Sequence, residues 1–443
     1  MNMFSLSFIF MFLPIAVILF YLTPNRFKPI TLTAISIYFY YLVSPSYLLI
    51  ILMSVLFDYF IATQIQFHMP KSFIRKSIFA LAVAKNLGIY LYYGIMSQIE
   101  GENAPFGIML VSLTGLGYII DVYKKEIIPE YNVMRYISYA MFFPRLYVGP
   151  LVPYGDMKGQ LIHIKPSLTG ISRGIVMFIF GLAKKIIMAD TMIKLYSSLL
   201  SIPQYEYSVL TAWILMISFA FSLYFTLSGY FDVARGLALI FSLKLPFGFY
   251  YPFQARSLDE FFARFNITVN EFVRKYVYVG LGEKNNGTLS ASLNILLVSM
   301  LISMWYGIKI NCLVWGIYLA IFIILEQFVY GKYWRKMPIF IQRALTFCIT
   351  MMSFSILLGN NITETTFYLK TMFGFNNTPL TDITTAYYLY SNSVLFVLAF
   401  VMCTSFGNNL SKYMSQKFPS IWDTLGVAYN ISLLVCVSAI LIQ

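Results

Sequence analysis

Some ionisable side chains stand inside long apolar runs of the sequence, where a charge is costly and usually has a function. They are Asp58, Lys85, Arg145, Lys184, Lys185, Asp232, Arg235, Lys309 and Glu326. A buried carboxylate could accept a proton in catalysis, and a buried cation could bind an anionic group. Asp232 and Arg235 are three residues apart, so on a helix they could simply neutralise each other. Pairing, or extension toward the membrane surface, is the competing explanation for every member of this set.

Histidine chemistry has little support in the sequence. The two histidines, His68 and His163, both fall in predicted loops beside lysines, and neither is near a serine and aspartate pair. No Walker loop, GxGxxG or HExxH motif occurs, and the four cysteines lack metal-ligand spacing. We therefore expect no catalytic triad, no metal site and no resident cofactor.

The composition is that of a membrane protein. The 443 residues are 59% hydrophobic and only 11% charged, whereas soluble domains are about 25% charged. So few charges could not cover a water-facing surface. The net charge of +13 is spread through short loops, which argues against a nucleic-acid binder. We expect one polytopic membrane domain over residues 1–443.

The spans that must position these residues follow from the apolar runs, each near the ~20 residues that a membrane helix needs. Clean runs cover 4–22, 47–66, 77–97, 105–123, 171–189, 208–228, 289–308, 310–330, 339–359, 386–406 and 424–442. Two weaker runs, 30–43 and 136–153, are short or broken by proline. The pattern predicts an all-α integral membrane protein with roughly 11–13 membrane helices.

Loop charges predict the orientation of the chain. Basic residues cluster in alternate loops, at Arg26 and Lys28, at Lys71, Arg75 and Lys76, at Lys332, Arg335 and Lys336, and at Lys412 and Lys417. Glu100 and Glu102 fall in an intervening loop, and the loop from Asn360 to Thr385 carries one lysine. The amino terminus is therefore predicted to lie outside.

One charged segment departs from the spanning pattern. In residues 257–284, apolar side chains from Leu258 to Tyr276 recur at helical spacing, which predicts one or two amphipathic helices in the membrane plane. Ser257 followed by Glu260 forms a capping box that should start the first helix. An ordinary loop helix on the cytoplasmic side is the alternative.

Several ordered stretches resemble the membrane-bound O-acyltransferase (MBOAT) family, especially its bacterial branch that acetylates alginate or transfers D-alanine to teichoic acid. They are FSLSFIFMFLPIAVILFYL (4–22), MFFPRLYVGPLVPYGDM (141–157), GLAKKIIMAD (181–190), the stretch 222–262, YVYVGLG (276–282), the span 294–320 and FSILLGNNITETTFYLKTMFG (354–374). The resemblance covers nearly the whole chain, with the family core at about 105–375.

The resemblance implies a ring of tilted helices around a central tunnel in a bacterial plasma membrane. An acyl donor, either acetyl-CoA or an acyl or D-alanyl carrier protein, would enter from the cytoplasm. A hydroxyl acceptor on a cell-surface polysaccharide or teichoic acid would wait outside, and a tunnel histidine would act as general base. Implied partners are the acyl carrier or donor protein, an extracytoplasmic acyl-handling protein and membrane lipid.

The chain departs from the family in its chemistry. Tyr306 stands at the family's catalytic histidine, Asn266 at a second histidine position and Leu319 at a third. A phenol is a poor proton acceptor at neutral pH. Glu326 and Asp232 are candidates for a displaced base. The neighbours expected along the tunnel are Trp305, Gly307, Arg264, Phe265, Trp315 and Arg145.

Three functions remain open at this point. The chain could be an O-acyltransferase with altered catalytic positions, or a catalytically silent relative that binds or scaffolds within a surface-polymer assembly. A transporter or flippase is the weaker alternative, because a transporter of two related halves should show matching broken segments and none is visible.

Overall fold

The computed structural model describes residues 1–69, 72–99, 105–278 and 287–442. Lys71, Glu100 and Glu102 of the charge pattern, and residues 279–284 of the predicted in-plane segment and of the motif at 276–282, lie outside the described residues. The described part of the chain is α-helical and contains no β-strand. This confirms the predicted all-α fold class.

The α-helices are numbered in chain order. They are α1 (Leu13–Leu22), α2 (Lys28–Val43), α3 (Leu48–Phe67), α4 (Phe73–Ile99), α5 (Ile108–Tyr123), α6 (Val133–Ala140), α7 (Tyr154–Ile162), α8 (Leu168–Ala183), α9 (Asp190–Leu200), α10 (Val209–Ile240), α11 (Leu258–Arg264), α12 (Ile267–Val273), α13 (Gly287–Met304), α14 (Ile310–Leu325), α15 (Gly331–Trp334), α16 (Ile339–Leu358), α17 (Ile362–Met372), α18 (Ile383–Ser391), α19 (Ser393–Met402), α20 (Phe406–Lys417) and α21 (Pro419–Ile442). Short π-helical segments extend several of them, at Phe8–Phe12, Lys184–Ala189, Arg274–Tyr278 and Glu326–Tyr330.

Seven helical segments of the described chain are long and apolar enough to cross a membrane. They are Pro45–Phe67, Phe73–Gln98, Val209–Ile240, Gly287–Met304, Ile310–Trp334, Ile339–Leu358 and Thr424–Ile442. Helices α18 and α19, bent by 57° to each other, can form an eighth span. Fewer full-length spans are found than the 11–13 predicted, because three predicted runs form shorter helices: Phe8–Leu22, Ile108–Tyr123 and α8, which continues as a π-helix.

The helices form two compact units. The first contains Met1–Gly181, Tyr230–Phe247 and the chain end from Ser438, and the second contains Leu182–Gly229 and Gly248–Val437.

The first unit contains a buried ionic group. Lys85 Nζ on α4 donates to Asp58 Oδ2 on α3 at 2.9 Å and to the Ser54 carbonyl at 3.1 Å. Asn86 Nδ2 donates to the other Asp58 oxygen at 2.9 Å. Each charge is therefore satisfied inside the helix bundle, as a buried ion pair requires. Two of the ionisable residues selected from the sequence thus have a structural explanation.

The second unit contains α9, α11 to α20, and parts of α10 and α21. Its α13 and α14 pack closely because Gly316 lies against α13, where a Cβ atom would come within 2.8 Å of the Ser299 carbonyl oxygen. Helix α14 then meets α16, where Trp315 Nε1 donates to Ser353 Oγ at 3.1 Å. These contacts fix the loop between α13 and α14, which carries Tyr306.

Candidate functional site

Tyr306 lies in the turn that joins α13 to α14. Its backbone N–H donates to the Ser303 carbonyl at 3.0 Å, and Gly307 N–H donates to the Met304 carbonyl at 3.2 Å. Gly307 has φ +149°, a conformation that glycine adopts without strain. This backbone conformation requires glycine, and a Cβ atom at position 307 would lie 3.4 Å from Cys312 Sγ.

Asn266 lies at a break between α11 and α12. Ser257 starts α11 as predicted, since its hydroxyl accepts from Glu260 N–H at 3.1 Å. The helix ends at Arg264, and Asn266 takes the left-handed conformation with φ +54°. The predicted apolar stripe therefore belongs to two helices rather than one, with Phe261, Phe265 and Val269 buried. Their position relative to a membrane plane stays a prediction.

Four hydrogen bonds fix the break at Asn266. Tyr250 N–H donates to the Arg264 carbonyl at 3.0 Å, and Ile267 N–H donates to the Gly248 carbonyl at 2.8 Å. Asn270 Nδ2 donates to the Phe262 carbonyl and, at 3.0 Å, to the Phe265 carbonyl. The backbone at the end of α11 is thus satisfied without a continuous helix.

The side chains of Asn266 and Tyr306 approach each other. Asn266 Nδ2 lies 3.5 Å from the Tyr306 hydroxyl oxygen, at the outer limit for a hydrogen bond. Asn266 is fully buried, and its Oδ1 atom has no hydrogen-bond partner in the described part of the chain. An acceptor therefore remains free beside the phenol.

Aromatic rings enclose the Tyr306 phenol. Its ring centroid lies 5.3 Å from that of Trp315, nearly perpendicular, and 6.2 Å from that of Phe265. Tyr306 also packs against the cluster of Trp315, Leu319 and Ile356. Positions 266, 306 and 319, for which the resemblance implies histidines, therefore meet at one place. We call Tyr306, Asn266, Leu319, Trp315 and Phe265 the aromatic site.

The aromatic site holds its phenol in the neutral form. Burial raises the pKa of Tyr306 well above its ordinary value, and the contact with Asn266 only partly opposes this. Asn266 does not titrate, and Leu319 has no polar group. The site therefore offers an O–H donor and an amide oxygen acceptor, and none of its five side chains can act as a base near neutral pH.

Two neighbours predicted to line the passage differ in their surroundings. Arg264 forms an ion pair with Glu260 and lies over the Tyr250 ring, 5.7 Å from its centroid. Its charge is thus compensated one turn back along α11. Trp305 is half-buried at the start of the turn. The roles predicted for both in substrate binding stay predictions.

Glu326, a candidate for a displaced base, has a structural partner. Its Oε2 accepts from Leu258 N–H at 3.0 Å, so the carboxylate caps the amino end of α11. Anions are favoured there by the helix dipole. Asn266 follows the opposite end of this seven-residue helix, about 10 Å away at 1.5 Å per residue.

Asp232 and Arg145 belong to the first unit, whereas the aromatic site belongs to the second. Asp232 forms an ion pair with Arg235, with 3.5 Å between Oδ1 and Nη1, as the sequence spacing had suggested. Arg145 is fully buried and lies 4.9 Å from the centre of the Tyr139 ring. Its Nη2 donates to the Tyr139 carbonyl. Its Nε and Nη1 have no partner in the described residues.

Sequence reasoning missed Asn270 and Ser353. Asn270 holds the break that orients Asn266, and Ser353 fixes the Trp315 ring. The available signal was the pair of asparagines at 266 and 270, four residues apart in an otherwise apolar stripe. Nothing in the local sequence around Ser353 indicated its contact with α14.

The long apolar helices of the described chain define an integral membrane protein. The model of MBOAT, the membrane-bound O-acyltransferase family, matches residues 121–369, more than half of the chain. The chain belongs to this family, and it is a multi-pass membrane protein.

Individual relatives are proteins of bacterial cell-surface modification. The chain is 24% identical over 418 residues to the probable alginate O-acetylase AlgI of Pseudomonas aeruginosa, covering 90% of this chain and 80% of that protein. It is 26% identical over 422 residues to the peptidoglycan O-acetyltransferase of Helicobacter pylori, covering 84% and 80%. It is 22% identical over 282 residues to the teichoic acid D-alanyltransferase of Bacillus subtilis, covering 57% and 68%.

Proposed function

We propose that the chain serves the O-acylation of a cell-surface polymer, and that it binds the reacting groups but transfers the acyl group only very slowly on its own. The acyl donor would be acetyl-CoA or an acyl or D-alanyl carrier protein on the cytoplasmic side. The acceptor would be a polymer hydroxyl on the outer side. The observation that carries this proposal is the pairing of Tyr306 with Asn266, where the family has histidines.

The chemistry of acyl transfer explains why these two residues matter. The acceptor oxygen attacks the acyl carbonyl carbon, the hydroxyl proton leaves, and the donor thiol departs with a proton. A positioned general base lowers this barrier and accounts for about 10²–10⁴-fold in rate. Neither the phenol of Tyr306 nor the amide of Asn266 can accept that proton at neutral pH.

The aromatic site retains groups suited to binding. The Tyr306 O–H can donate to an acyl carbonyl oxygen, as donors of an oxyanion hole do. The free Oδ1 of Asn266 can accept from an acceptor hydroxyl. The aromatic rings around the phenol exclude water and strengthen such polar contacts. These features support the retention of binding without efficient proton removal.

A displaced base receives no support from the geometry. Glu326 caps α11, and Asp232 is paired with Arg235. Recruiting either carboxylate would break a contact that already stabilises the fold. The proposal therefore assigns no catalytic step to Glu326 or Asp232.

The related proteins indicate only the chemical class of the polymer and of the acyl group. Alginate, peptidoglycan and teichoic acid are the polymers named for the related proteins, and acetyl and D-alanyl are the groups transferred. We propose a hydroxyl-rich cell-surface polymer as the acceptor. An extracytoplasmic acyl-handling protein is a further proposed partner.

Restoring histidine tests the proposal. Purified chain in vesicles is supplied with an acetyl thioester donor and a polysaccharide acceptor, and transfer is measured for the parent, Tyr306→His, Asn266→His and the double variant. We expect transfer near background for the parent and a gain of at least about 100-fold in the double variant. Tyr318→His is the matched control, because Tyr318 packs against the same cluster and should give no gain.

Two results would overturn the proposal. Robust transfer by the parent that Tyr306→Phe leaves unchanged would show that a base elsewhere performs the reaction. Failure of the parent to bind any acyl thioester, measured by equilibrium dialysis with a labelled donor, would remove the proposed binding role.

A further inference from the structure

We infer that helix α20 (Phe406–Lys417) lies on the membrane surface and binds anionic lipid through one face. The helix has 12 residues, and none of them is buried in the structure. A Cβ atom added at Gly407 would meet no neighbouring atom within 4 Å. An isolated helix of this length is only marginally stable in water, so a surface outside the described chain has to support it.

One face of α20 is apolar. Phe406, Leu410 and Tyr413 follow one another at helical spacing and therefore share a face, which we call the α20 stripe. All three side chains are exposed, by 46% to 60%, so no other part of the described chain covers them. The positions on the opposite side are polar: Asn408, Asn409, Ser411, Lys412, Ser415 and Gln416. A helix with this pattern places its apolar face at the boundary between headgroups and acyl chains.

The path of the chain puts α20 at the depth of the membrane surface. Helices α18 and α19, which can form one span, end at Met402, and the last candidate span begins at Thr424. A short segment between two spans lies where the spans end, at the boundary between hydrocarbon and water. Tyr413 and Trp422 fit this depth, because tyrosine and tryptophan are enriched at that boundary.

The start of α20 lies on the same side of the second unit as the basic loop after Trp334. Ser405 N–H donates to Gln254 Oε1 at 3.3 Å, and the Arg256 carbonyl accepts from Trp334 Nε1 at 2.7 Å. Trp334 is also the last residue of a candidate span. The loop charges predict that this side is cytoplasmic, and the cytoplasmic leaflet carries the anionic lipids.

Charge favours an anionic lipid surface as the occupant. Helix α20 contains Lys412 and Lys417 and no acidic residue, and the nearest acidic residues in the sequence, Asp382 and Asp423, lie outside it. Lys417 Nζ lies 5.6 Å from the centre of the Tyr413 ring, so its stem follows the α20 stripe while its ammonium group can extend to the headgroups. A second copy of α20 on the same face would bring like charges together.

The depth of each face of α20 can be measured with a fluorophore on single cysteines in the full chain, with the four native cysteines replaced by alanine. In phosphatidylglycerol vesicles, a label at Leu410→Cys or Tyr413→Cys should be quenched by spin-labelled lipid and protected from aqueous iodide. The matched labels at Asn408→Cys and Ser415→Cys should show the reverse. Equal quenching on both faces would overturn the inference. Stripe labels shielded from both quenchers would also overturn it and would assign the face to a protein surface.

Removing charge tests the preference for anionic lipid. Lys412→Gln and Lys417→Gln should each lower the ratio of bound to detached α20 about fivefold in phosphatidylglycerol vesicles, the effect of one basic side chain near an anionic surface. The ratio is read from iodide quenching at Leu410→Cys, and neither variant should change it in phosphatidylcholine vesicles. Lys332→Gln and Lys336→Gln, at exposed lysines outside α20, are the matched controls. Equal losses from both pairs, or no loss from the α20 pair, would overturn the role assigned to anionic lipid.

Discussion

Gly115 on α5 lies against the carboxylate of Asp58 on α3. Because Gly115 has no side chain, the Asp58 carboxylate has room to lie there. A Cβ atom on Gly115 would lie 2.9 Å from Asp58 Cγ and 3.4 Å from Asn86 Oδ1. Only glycine therefore lets α5 close over the pair of Asp58 and Lys85. The ionic group and the helix crossing depend on each other.

Gly115→Ala should destabilise the first unit. Displacing the carboxylate breaks a buried pair at about 3–5 kcal/mol, against about 1 kcal/mol gained in helix propensity. We expect a net loss of about 2–4 kcal/mol, measured as a lower thermal unfolding temperature in detergent. Gly88→Ala on α4 is the control, because a Cβ atom there would meet no atom within 4 Å. An unchanged unfolding temperature in Gly115→Ala would contradict the packing described.

The hydrogen bonds of the Glu130 carboxyl predict that the stability of the fold depends on pH. Burial alone would raise the pKa of its carboxyl, but hydrogen bonds from Tyr154, Asn132 N–H and Arg135 outweigh burial and lower the pKa. A carboxyl with a lowered folded-state pKa stabilises the fold above its unfolded pKa, about 4.3. That stability is lost as pH falls through the folded pKa.

Glu130→Gln should therefore lower stability at pH 7 by about 1–3 kcal/mol, the cost of a buried polar group facing the wrong partners. The parent should lose more stability than the variant when pH falls from 6 to 3, as followed by thermal unfolding in detergent. Glu206→Gln, which changes an exposed carboxylate, should leave the pH profile of the parent unchanged. Parallel profiles for Glu130→Gln and the parent would argue against the proposed hydrogen bonds.

Topology can be tested with single cysteines in a chain whose four native cysteines are replaced by alanine. Arg274→Cys, exposed after α12, should react with a membrane-impermeant maleimide only from the cytoplasmic side. Thr381→Cys, exposed in the loop before α18, should react from outside. Labelling of Arg274→Cys from outside would refute the predicted orientation.

The sequence predicted local contacts well. The Ser257 cap and the pairing of Asp232 with Arg235 both follow from short patterns. Lys184 and Lys185, two ionisable residues of the apolar runs, are both half-buried in a π-helical segment, and Lys185 is paired with Asp190.

Contacts between distant segments were not predictable in this way. The break at Asn266 depends on pairing with residues 248–250, and apolar periodicity does not report such pairing. The role of Glu326 depends on Leu258, which is 68 positions away in the chain. Glu326 was a candidate base because a charge in an apolar run is rare. Its contact with the Leu258 N–H instead indicates a structural role.

Substitutions of Asn266 can separate the effect of its backbone conformation on stability from the effect of its side chain. Its φ of +54° costs most residues roughly 1–2 kcal/mol, while glycine avoids that cost. Asparagine and histidine are among the residues that most often adopt it. We therefore expect Asn266→Ala to lower thermal stability more than Asn266→Gly, although both remove the same amide group. Asn266→His should stay close to the parent, which would allow this position to alternate between the two residues without disturbing the fold. A larger loss in Asn266→Gly than in Asn266→Ala would show that the left-handed conformation is absent in the folded protein.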